Sequence, residues 1–231
     1  MIHLLWCTLR PNVFTSSHNY WMNNAKNIEN IKTHVLLDSD SDAVSIEKYL
    51  ENYNHRIVIY KPPYVGVCLP SYKLSSTTDT KDGDIIVFAR DDFSCPRGWD
   101  EYLISQFSDK SGVLFVRDGY QNPDSSNMIS PAITIPIMDS SAFNAMNKTI
   151  YHPAFHHMFS DCELYLTAKE LGLLIDNRVN DTTTFEHHHH SPGKRSADQF
   201  DVEYVKNWGN DEVTWNQRKN IPVEERIKVN L

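Results

Sequence analysis

The chain has 231 residues, of which 40% are hydrophobic and 23% are charged, and its formal net charge is −8. This length and composition fit one globular domain, or one domain with a short extension, and they exclude disordered and fibrous proteins. The negative charge argues against a general nucleic-acid binder, because an acidic surface repels a polyanion. We therefore predict that the protein binds no nucleic acid.

Signals for membrane insertion and secretion are missing from the sequence. No run approaches the roughly 18 consecutive apolar residues that a membrane span requires, and residues 1–10 lack the basic start and cleavage site of a signal peptide. The four cysteines lie far apart without a CxxC pair, which favours reduced thiols in a core over a zinc site. The sequence predicts a soluble, cytoplasmic protein with no transmembrane segment.

The first half of the chain alternates between strand-like and helix-like segments. We predict helices at residues 19–31, 43–53 and 97–107, and strands at residues 3–9, 34–37, 56–60, 84–89 and 112–116. Such alternation is typical of a mostly parallel sheet that is covered by helices on both faces.

The second half is less regular. We predict helices at residues 141–147 and 161–171, and strands at residues 132–139, 173–179 and 182–188. Residues 197–219 form a polar C-terminal region with scattered aromatic residues. This region either packs a helix on the domain or reaches a neighbouring subunit, so the sequence leaves a homo-oligomer open.

Acidic residues follow two of the predicted strands. Asp38, Asp40 and Asp42 follow the second strand, and Asp91 and Asp92 follow the fourth. Ligands of parallel sheets bind beyond the carboxyl ends of the strands, where carboxylates can hold Mg²⁺ or Mn²⁺ together with substrate phosphates. A bare aspartate pair has a second interpretation, in which both acids complement the dipole at a helix N-terminus.

Three segments of the chain resemble glycosyltransferases of the GT-A fold and the family 2 type. Residues 83–93, followed by Gly-Trp-Asp at 98–100, are similar to the family's Gly-Asp, apolar strand and double-aspartate segment. Residues 159–172 and residues 185–189 are similar to two later segments, Phe-x-Asp-x-acid-Leu and Phe-x-His-x-His. The three segments agree in order and spacing, and the resemblance covers roughly residues 1–219.

The resemblance implies a role for each matching residue of the nucleotide-binding half. Thr8 would lie beside the nucleobase, and Asp38 and Asp40 would bind base and ribose. Asp91 would hold the ribose or the donor sugar, and Asp92 would be the direct ligand of Mn²⁺ or Mg²⁺.

Metal-binding and catalytic roles are expected for residues of the second half of the chain, and a diphosphate contact is expected for one lysine. His187 would complete the metal shell or touch the diphosphate, and in a strand His189 shares its face, although a surface polar run is the alternative interpretation. Asp161 would be the general base, with Glu163 in reserve, while a helix N-cap is the other explanation for Asp161. Lys73 is a candidate diphosphate contact.

The same resemblance implies the fold and its division. We expect an α/β protein with a GT-A, Rossmann-like, mostly parallel central sheet and helices on both faces. The GT-A domain would span residues 1–195, with a nucleotide-sugar-binding half at 1–118 and an acceptor and catalytic half at 119–195. Residues 196–231 would form a C-terminal helical extension.

We therefore predict a metal-dependent glycosyltransferase of the hexosyltransferase type. It would move a sugar, with inversion, from a nucleotide-diphosphate sugar to a carbohydrate or other hydroxyl acceptor. Two alternatives remain: a non-catalytic nucleotide-sugar or glycan-binding module of the same fold, and a sugar nucleotidyltransferase, which the missing Gly-rich loop after the first strand disfavours. The sequence has neither GxxxxGK[ST] nor GxGxxG, which argues against P-loop NTPases and dinucleotide-binding enzymes.

Overall fold

A computed structural model provides the structure of the chain. It describes residues 1–8, 10–37, 40–61, 66–119, 131–179, 181–188, 196, 202 and 205–230, and the side chains of residues 40 and 41 are not described.

The described strands form a seven-stranded central sheet and a separate two-stranded sheet. Their bounds are β1 (Ile2–Cys7), β2 (Ile31–Leu37), β3 (His55–Ile59), β4 (Ile85–Ala89), β5 (Phe93–Ser94), β6 (Val113–Phe115), β7 (Ile137–Asp139), β8 (Leu174–Asp176) and β9 (Glu186–His187). The central sheet has the order β3-β2-β1-β4-β7-β6-β8, and β5 pairs with β9. Strand β7 pairs antiparallel with β4 and β6, whereas the other pairs of the central sheet are parallel.

Eight described α-helices and one 3₁₀ turn, Ile28–Asn30, connect and cover the sheet. The helices are α1 (Pro11–Asn24), α2 (Asp40–Leu50), α3 (Cys68–Ser76), α4 (Trp99–Gln106), α5 (Ser140–Ala145), α6 (Ser160–Glu170), α7 (Trp208–Arg218) and α8 (Val223–Arg226). None of the helices within the described residues is long and apolar enough to cross a membrane.

Both faces of the central sheet are buried. In β4, Val87 and Ala89 belong to one hydrophobic cluster, while Ile86 and Phe88 belong to the cluster on the opposite face. Successive side chains of a strand point to opposite faces, so a strand covered on both sides must be apolar throughout. The structure therefore confirms the predicted α/β class, with a mostly parallel sheet and helices on both faces.

The first helix differs from its predicted position. We expected it at residues 19–31, but α1 spans Pro11–Asn24, and β2 already begins at Ile31. The buried residues Phe14, His18 and Trp21 lie at helical spacing on the face that meets the core. Pro11 occupies the first turn, where its missing N–H costs no helical hydrogen bond.

A further helix, α3, was not predicted. It spans Cys68–Ser76 and contains Lys73 in its last turn, so this residue lies on a helix and not in an open loop. Its buried residues include Ser71 and Ser75, which are polar, and this weakened the apolar pattern in the sequence.

The C-terminal helices pack on their own domain. The Arg218 guanidinium of α7 forms two hydrogen bonds with the Glu163 carboxylate of α6, at 2.8 and 2.9 Å. Arg226 of α8 forms an ion pair of 2.8 Å with Glu170 at the other end of α6. The described C-terminal helices therefore pack against α6 of the same chain.

A buried histidine pair lies at the end of the sheet opposite to the acidic pair. His3 Nδ1 is 3.0 Å from His34 Nε2, and His3 Nε2 is 3.0 Å from the Asp84 carboxylate. Burial lowers the pKa of His34 to about 3, and the nearby charges of His3, Lys32 and Arg56 lower it further. The folded protein therefore holds His34 neutral at pH values where the unfolded chain binds a proton.

This pair predicts acid-sensitive stability. The stabilising contribution is complete above about pH 6.5, where an unfolded histidine is neutral, and it is lost as the pH falls towards 3. When the pH falls from 7.5 to 5, the unfolding free energy of the parent protein should decrease. The decrease should be about 2 kcal/mol smaller in His34→Gln. Urea denaturation at both pH values measures this difference.

His55 provides the matched control. Burial alone would lower its pKa, but hydrogen bonds to the Tyr53 carbonyl and to Glu47 outweigh burial and raise the pKa. The unfolding free energy of His55→Gln should therefore decrease between pH 7.5 and pH 5 by as much as that of the parent protein, or by slightly more. An equal pH dependence in the His34→Gln variant and the parent protein would contradict the assignment.

Candidate active site

The acidic pair lies at the carboxyl end of β4, beside the carboxyl end of β1. Trp6 of β1 is in register with Ala89 of β4, and Asp91 and Asp92 form the turn that follows. This is the edge of a parallel sheet where ligands bind in α/β proteins.

The Asp91 carboxylate is held by three groups of the N-terminal segment. Trp6 Nε1 donates to its Oδ1 at 2.7 Å, and both Thr8 Oγ1 and Arg10 Nε donate to its Oδ2 at 3.2 Å. The side chain is 6% exposed, and burial raises its pKa although the Trp6 hydrogen bond and the Arg10 charge oppose this effect. Asp91 and Thr8 therefore bind each other and join β1 to β4.

The Asp92 carboxylate faces a different set of groups. Its Oδ2 lies 3.3 Å from His187 Nε2, and its Oδ1 lies 3.6 Å from Arg90 Nε. The pairing of β5 with β9 places His187 opposite Phe93, and the two rings stack with centroids 4.2 Å apart. The structure thus brings together the two predicted metal ligands, Asp92 and His187.

These two side chains fit a divalent cation only in part. A carboxylate oxygen and an imidazole nitrogen suit Mn²⁺, and substrate phosphates can fill the remaining positions. Within the described part of the chain, no cluster of three His, Cys, Asp or Glu side chains could hold a metal ion. The third predicted ligand, His189, lies outside the described residues.

A cleft that is open to solvent lies beside His187 of this pair. Arg90, His187 and Asp161 are among the residues that line it. Asp161 lies in the first turn of α6, where its Oδ1 accepts a hydrogen bond from the Cys162 N–H at 2.9 Å. The predicted base therefore faces the same space as the predicted metal ligand His187.

The electrostatic surroundings make Asp161 a stronger base than an exposed carboxylate. Burial raises the pKa of Asp161, and the positive charge of Arg90 partly opposes that rise. A higher pKa brings a carboxylate closer to the range in which general bases work at neutral pH.

The reserve base, Glu163, is engaged elsewhere. Its side chain is 7% exposed, and the Arg218 guanidinium binds both of its oxygens. It lines a second pocket next to α8, away from the cleft that contains Asp161. This geometry favours Asp161 over Glu163, because residues two apart within a helical turn point in nearly opposite directions.

Among the remaining predicted binding residues, Lys73, Asp38 and Asp40, the side chain of Lys73 alone is described. Lys73 lies in the last turn of α3, where its charge complements the helix dipole, and it is not among the residues that line the cleft. Asp40 begins α2, but its side chain is not described, and Asp38 lies outside the described residues. Their proposed contact with base and ribose stays a prediction.

Sequence reasoning missed Arg90, the one arginine that lines the cleft among the described residues. Its position directly after the apolar strand β4, at the same sheet edge as Asp92, was a usable signal. Met158, which also lines the cleft, precedes α6 in a segment without regular structure and gave no such signal.

Comparison with solved structures identifies the fold. Residues 1–349 of S. aureus TarS in complex with UDP match with a TM-score of 0.60 and 12% identity, over 97% of this chain and 76% of that chain. The mannosyltransferase PcManGT from Pyrobaculum calidifontis, in complex with GDP-Man and Mn²⁺, matches with a TM-score of 0.62 and 7% identity. The match covers 84% of this chain and 58% of that chain. The protein has a GT-A fold.

The GT-A fold does not by itself decide the activity. A putative glucose-1-phosphate thymidylyltransferase from Bacillus anthracis also matches, with a TM-score of 0.50 and 13% identity, over 88% of this chain and 95% of that chain. The present chain spans 46% of the longer TarS structure. Searches against protein-family models and curated proteins found no match. At such identities the likeness shows the fold, and the function must be argued from the site.

The two adjacent aspartates should differ in their effect on stability. Asp91→Ala removes the acceptor of three donors, so we expect it to lower the unfolding free energy by about 3 kcal/mol. Asp92→Ala should cost less than Asp91→Ala, because removal of the Asp92 charge relieves its repulsion from Asp91. Urea denaturation measures both, and equal losses would contradict the division of roles.

Proposed function

We propose that the protein is a metal-dependent, inverting glycosyltransferase that moves a sugar from a nucleotide-diphosphate sugar to a hydroxyl acceptor. The observation that supports this most directly is the cleft that Asp161 lines together with Arg90 and His187, the two residues that contact Asp92. A base and a cationic group around one space are the two requirements of sugar transfer from a diphosphate leaving group.

The acceptor side of the reaction falls to Asp161. Its carboxylate takes the proton of the acceptor hydroxyl, and the acceptor oxygen attacks the anomeric carbon of the donor sugar. The bond between the anomeric carbon and the diphosphate oxygen breaks in the same displacement, and the diphosphate leaves with the electron pair. Attack opposite to the leaving group inverts the configuration at the anomeric carbon.

The donor side falls to Arg90, Asp92 and His187. The Arg90 guanidinium can donate hydrogen bonds to the diphosphate oxygens as their negative charge grows. Asp92 and His187 would hold a divalent cation between protein and diphosphate. When bound, Mn²⁺ or Mg²⁺ adds positive charge that stabilises the leaving diphosphate. The solved mannosyltransferase of similar fold contains both GDP-Man and Mn²⁺, which supports this assignment.

A nucleotidyltransferase is the second candidate, because the Bacillus anthracis structure has a similar fold. The two candidates differ in the bond that breaks. A nucleotidyltransferase releases pyrophosphate from a nucleoside triphosphate, whereas a glycosyltransferase releases a nucleoside diphosphate. A pyrophosphatase-coupled malachite-green assay with nucleoside triphosphates and a nucleoside-diphosphate assay with nucleotide sugars separate the candidates, and a binding module of the same fold would release neither product.

Asp161→Asn should remove transfer but keep donor binding. An amide cannot accept the acceptor proton, so we expect kcat to fall about 100-fold or more while donor affinity changes little. Calorimetric donor titration and a nucleoside-diphosphate release assay measure the two quantities. Full transfer in Asp161→Asn, together with a loss in Glu163→Gln, would move the base to Glu163.

The pH profile gives a second readout of the same assignment. Asp161 must be ionised to act, so activity should fall as the pH falls through its pKa, which burial raises above the ordinary carboxyl value. The Arg90 charge opposes the rise, so Arg90→Gln should move the acidic limb of the kcat profile to higher pH.

Asp92→Ala should abolish metal-dependent donor binding. A thermal-shift screen of UDP-, GDP-, dTDP- and CMP-sugars should find a donor that stabilises the protein only with Mn²⁺, because ligands raise apparent stability by mass action. The variant should lose that shift. Asp82→Ala is the matched control, since Asp82 is exposed and lies before β4 at the opposite end of the strand. An unchanged Mn²⁺-dependent affinity in Asp92→Ala would overturn the metal assignment.

A further inference from the structure

The carboxylate of Asp211 in the C-terminal helix α7 is fully buried, and it binds the backbone of the segment 156–158, part of which lines the cleft. Asp211 is 0% exposed. Its Oδ1 accepts a hydrogen bond from the His156 N–H at 2.8 Å, and its Oδ2 accepts from the N–H groups of His157 and Met158 at 2.9 and 2.8 Å. Charge-assisted bonds of this kind are stronger than neutral ones. One side chain therefore satisfies three consecutive backbone donors that have no helix or strand partner.

The segment 156–158 lies just before the helix that carries the proposed base. His157 and Met158 line the cleft, and the Ser160 hydroxyl donates to the His157 carbonyl at 2.9 Å. Helix α6 begins at Ser160, and Asp161 follows in its first turn. Two residues, Phe159 and Ser160, separate the Asp211 contact at Met158 from Asp161.

The residue between the segment 156–158 and α6 has a strained backbone. Phe159 has φ of 63° and ψ of −5°, in the left-handed region. A bulky side chain in this region costs roughly 1–3 kcal/mol and persists only where surrounding contacts enforce it. This conformation sets the direction in which the chain enters α6. It therefore sets the direction in which the Asp161 side chain points from the helix.

The contacts that enforce this conformation come from α7. The Phe159 ring lies against Trp208, with centroids 5.3 Å apart, and stacks with Trp215 at 6.5 Å and an interplanar angle of 7°. Residues 208, 211, 215 and 218 follow the spacing of one helix face. The same face carries Arg218, which binds Glu163 of α6. Helix α7 thus holds the chain on both sides of Asp161.

We propose that α7 positions the base, with Asp211 as the positioning residue that acts through the segment 156–158. This inference rests on the proposed function, because it assigns a role to Asp211 in the transfer step. Loss of the carboxylate leaves at least one backbone donor without its acceptor and allows Phe159 to leave the left-handed region. A displacement of about 1 Å at Asp161 reduces the rate by up to about 100-fold.

The kinetic test uses Asp211→Asn in the full chain. We expect kcat to fall by about 10- to 100-fold while the donor KM changes by less than about threefold, because the donor binds on the side of Arg90 and Asp92. Glu212→Gln is the matched control, since it removes an adjacent carboxylate from the exposed face of α7. An unchanged kcat in Asp211→Asn, or a loss that appears in KM alone, would overturn the proposal.

The pH profile provides a readout that a general loss of folding does not move. Burial holds the pKa of Asp161 above its ordinary value, so a loosened segment should admit water and lower that pKa. The acidic limb of kcat should therefore move to lower pH in Asp211→Asn. A limb that moves to higher pH would contradict the proposed loosening.

A second variant addresses the case in which Asp211→Asn fails to fold. Trp208 is 41% exposed, so Trp208→Ala should cost little stability while it removes one of the two rings that hold Phe159. We expect a smaller loss of kcat, about three- to tenfold, again with little change in donor KM. A fully active Trp208→Ala, measured at equal folded concentration, would argue against the role of α7.

Amide hydrogen exchange separates this inference from the proposed function. In a variant with a weakened α7 contact, the amides of His156, His157 and Met158 should exchange at least tenfold faster, while those of β4 stay unchanged. If the parent protein transfers no sugar from any donor, the proposed function fails and positioning of a base falls with it. Unchanged exchange in an active protein would overturn only the role of Asp211.

Discussion

The Asp91 carboxylate is the contact on which the geometry of the site depends. It joins the carboxyl ends of β1 and β4 through Trp6, Thr8 and Arg10, and it is buried while doing so. A buried carboxylate that lost these donors would carry a large desolvation cost, so the turn after β4 has little freedom. With Asp91 directed towards β1, the neighbouring Asp92 is directed towards Arg90 and His187.

The cleft combines two parts of the fold that are distant in sequence. The residue after β4 and the small β5–β9 sheet supply Arg90 and His187, while α6 supplies Asp161. The positive charge of Arg90 acts on the Asp161 carboxylate, whose pKa burial raises. The same fold occurs in a putative thymidylyltransferase, so the function depends on these side chains and not on the sheet.

The alternation of strands and helices was sufficient to predict the α/β class, because strand and helix periodicity is a local property of the sequence. The meeting of Asp92 with His187 was expected only from the resemblance to GT-A glycosyltransferases. The first helix was misplaced because its polar residues concealed the helical spacing of Phe14, His18 and Trp21. Helix α3 was missed because Ser71 and Ser75 occupy buried positions that are usually apolar.

Tertiary structure decided how each of the similar carboxylates is engaged. The sequence offered Asp91 beside Asp92 and Asp161 beside Glu163, and each pair could have been assigned either way. Trp6 and Arg10 bind Asp91, and Arg218 of the C-terminal helix binds Glu163, whereas Asp92 contacts Arg90 and His187, and Asp161 lines the cleft. The partners of Asp91 and Glu163 lie 55 to 85 residues away along the chain. The sequence by itself determined the fold class and the acidic character of the sheet edge, while contacts between distant segments decided the direction of each side chain.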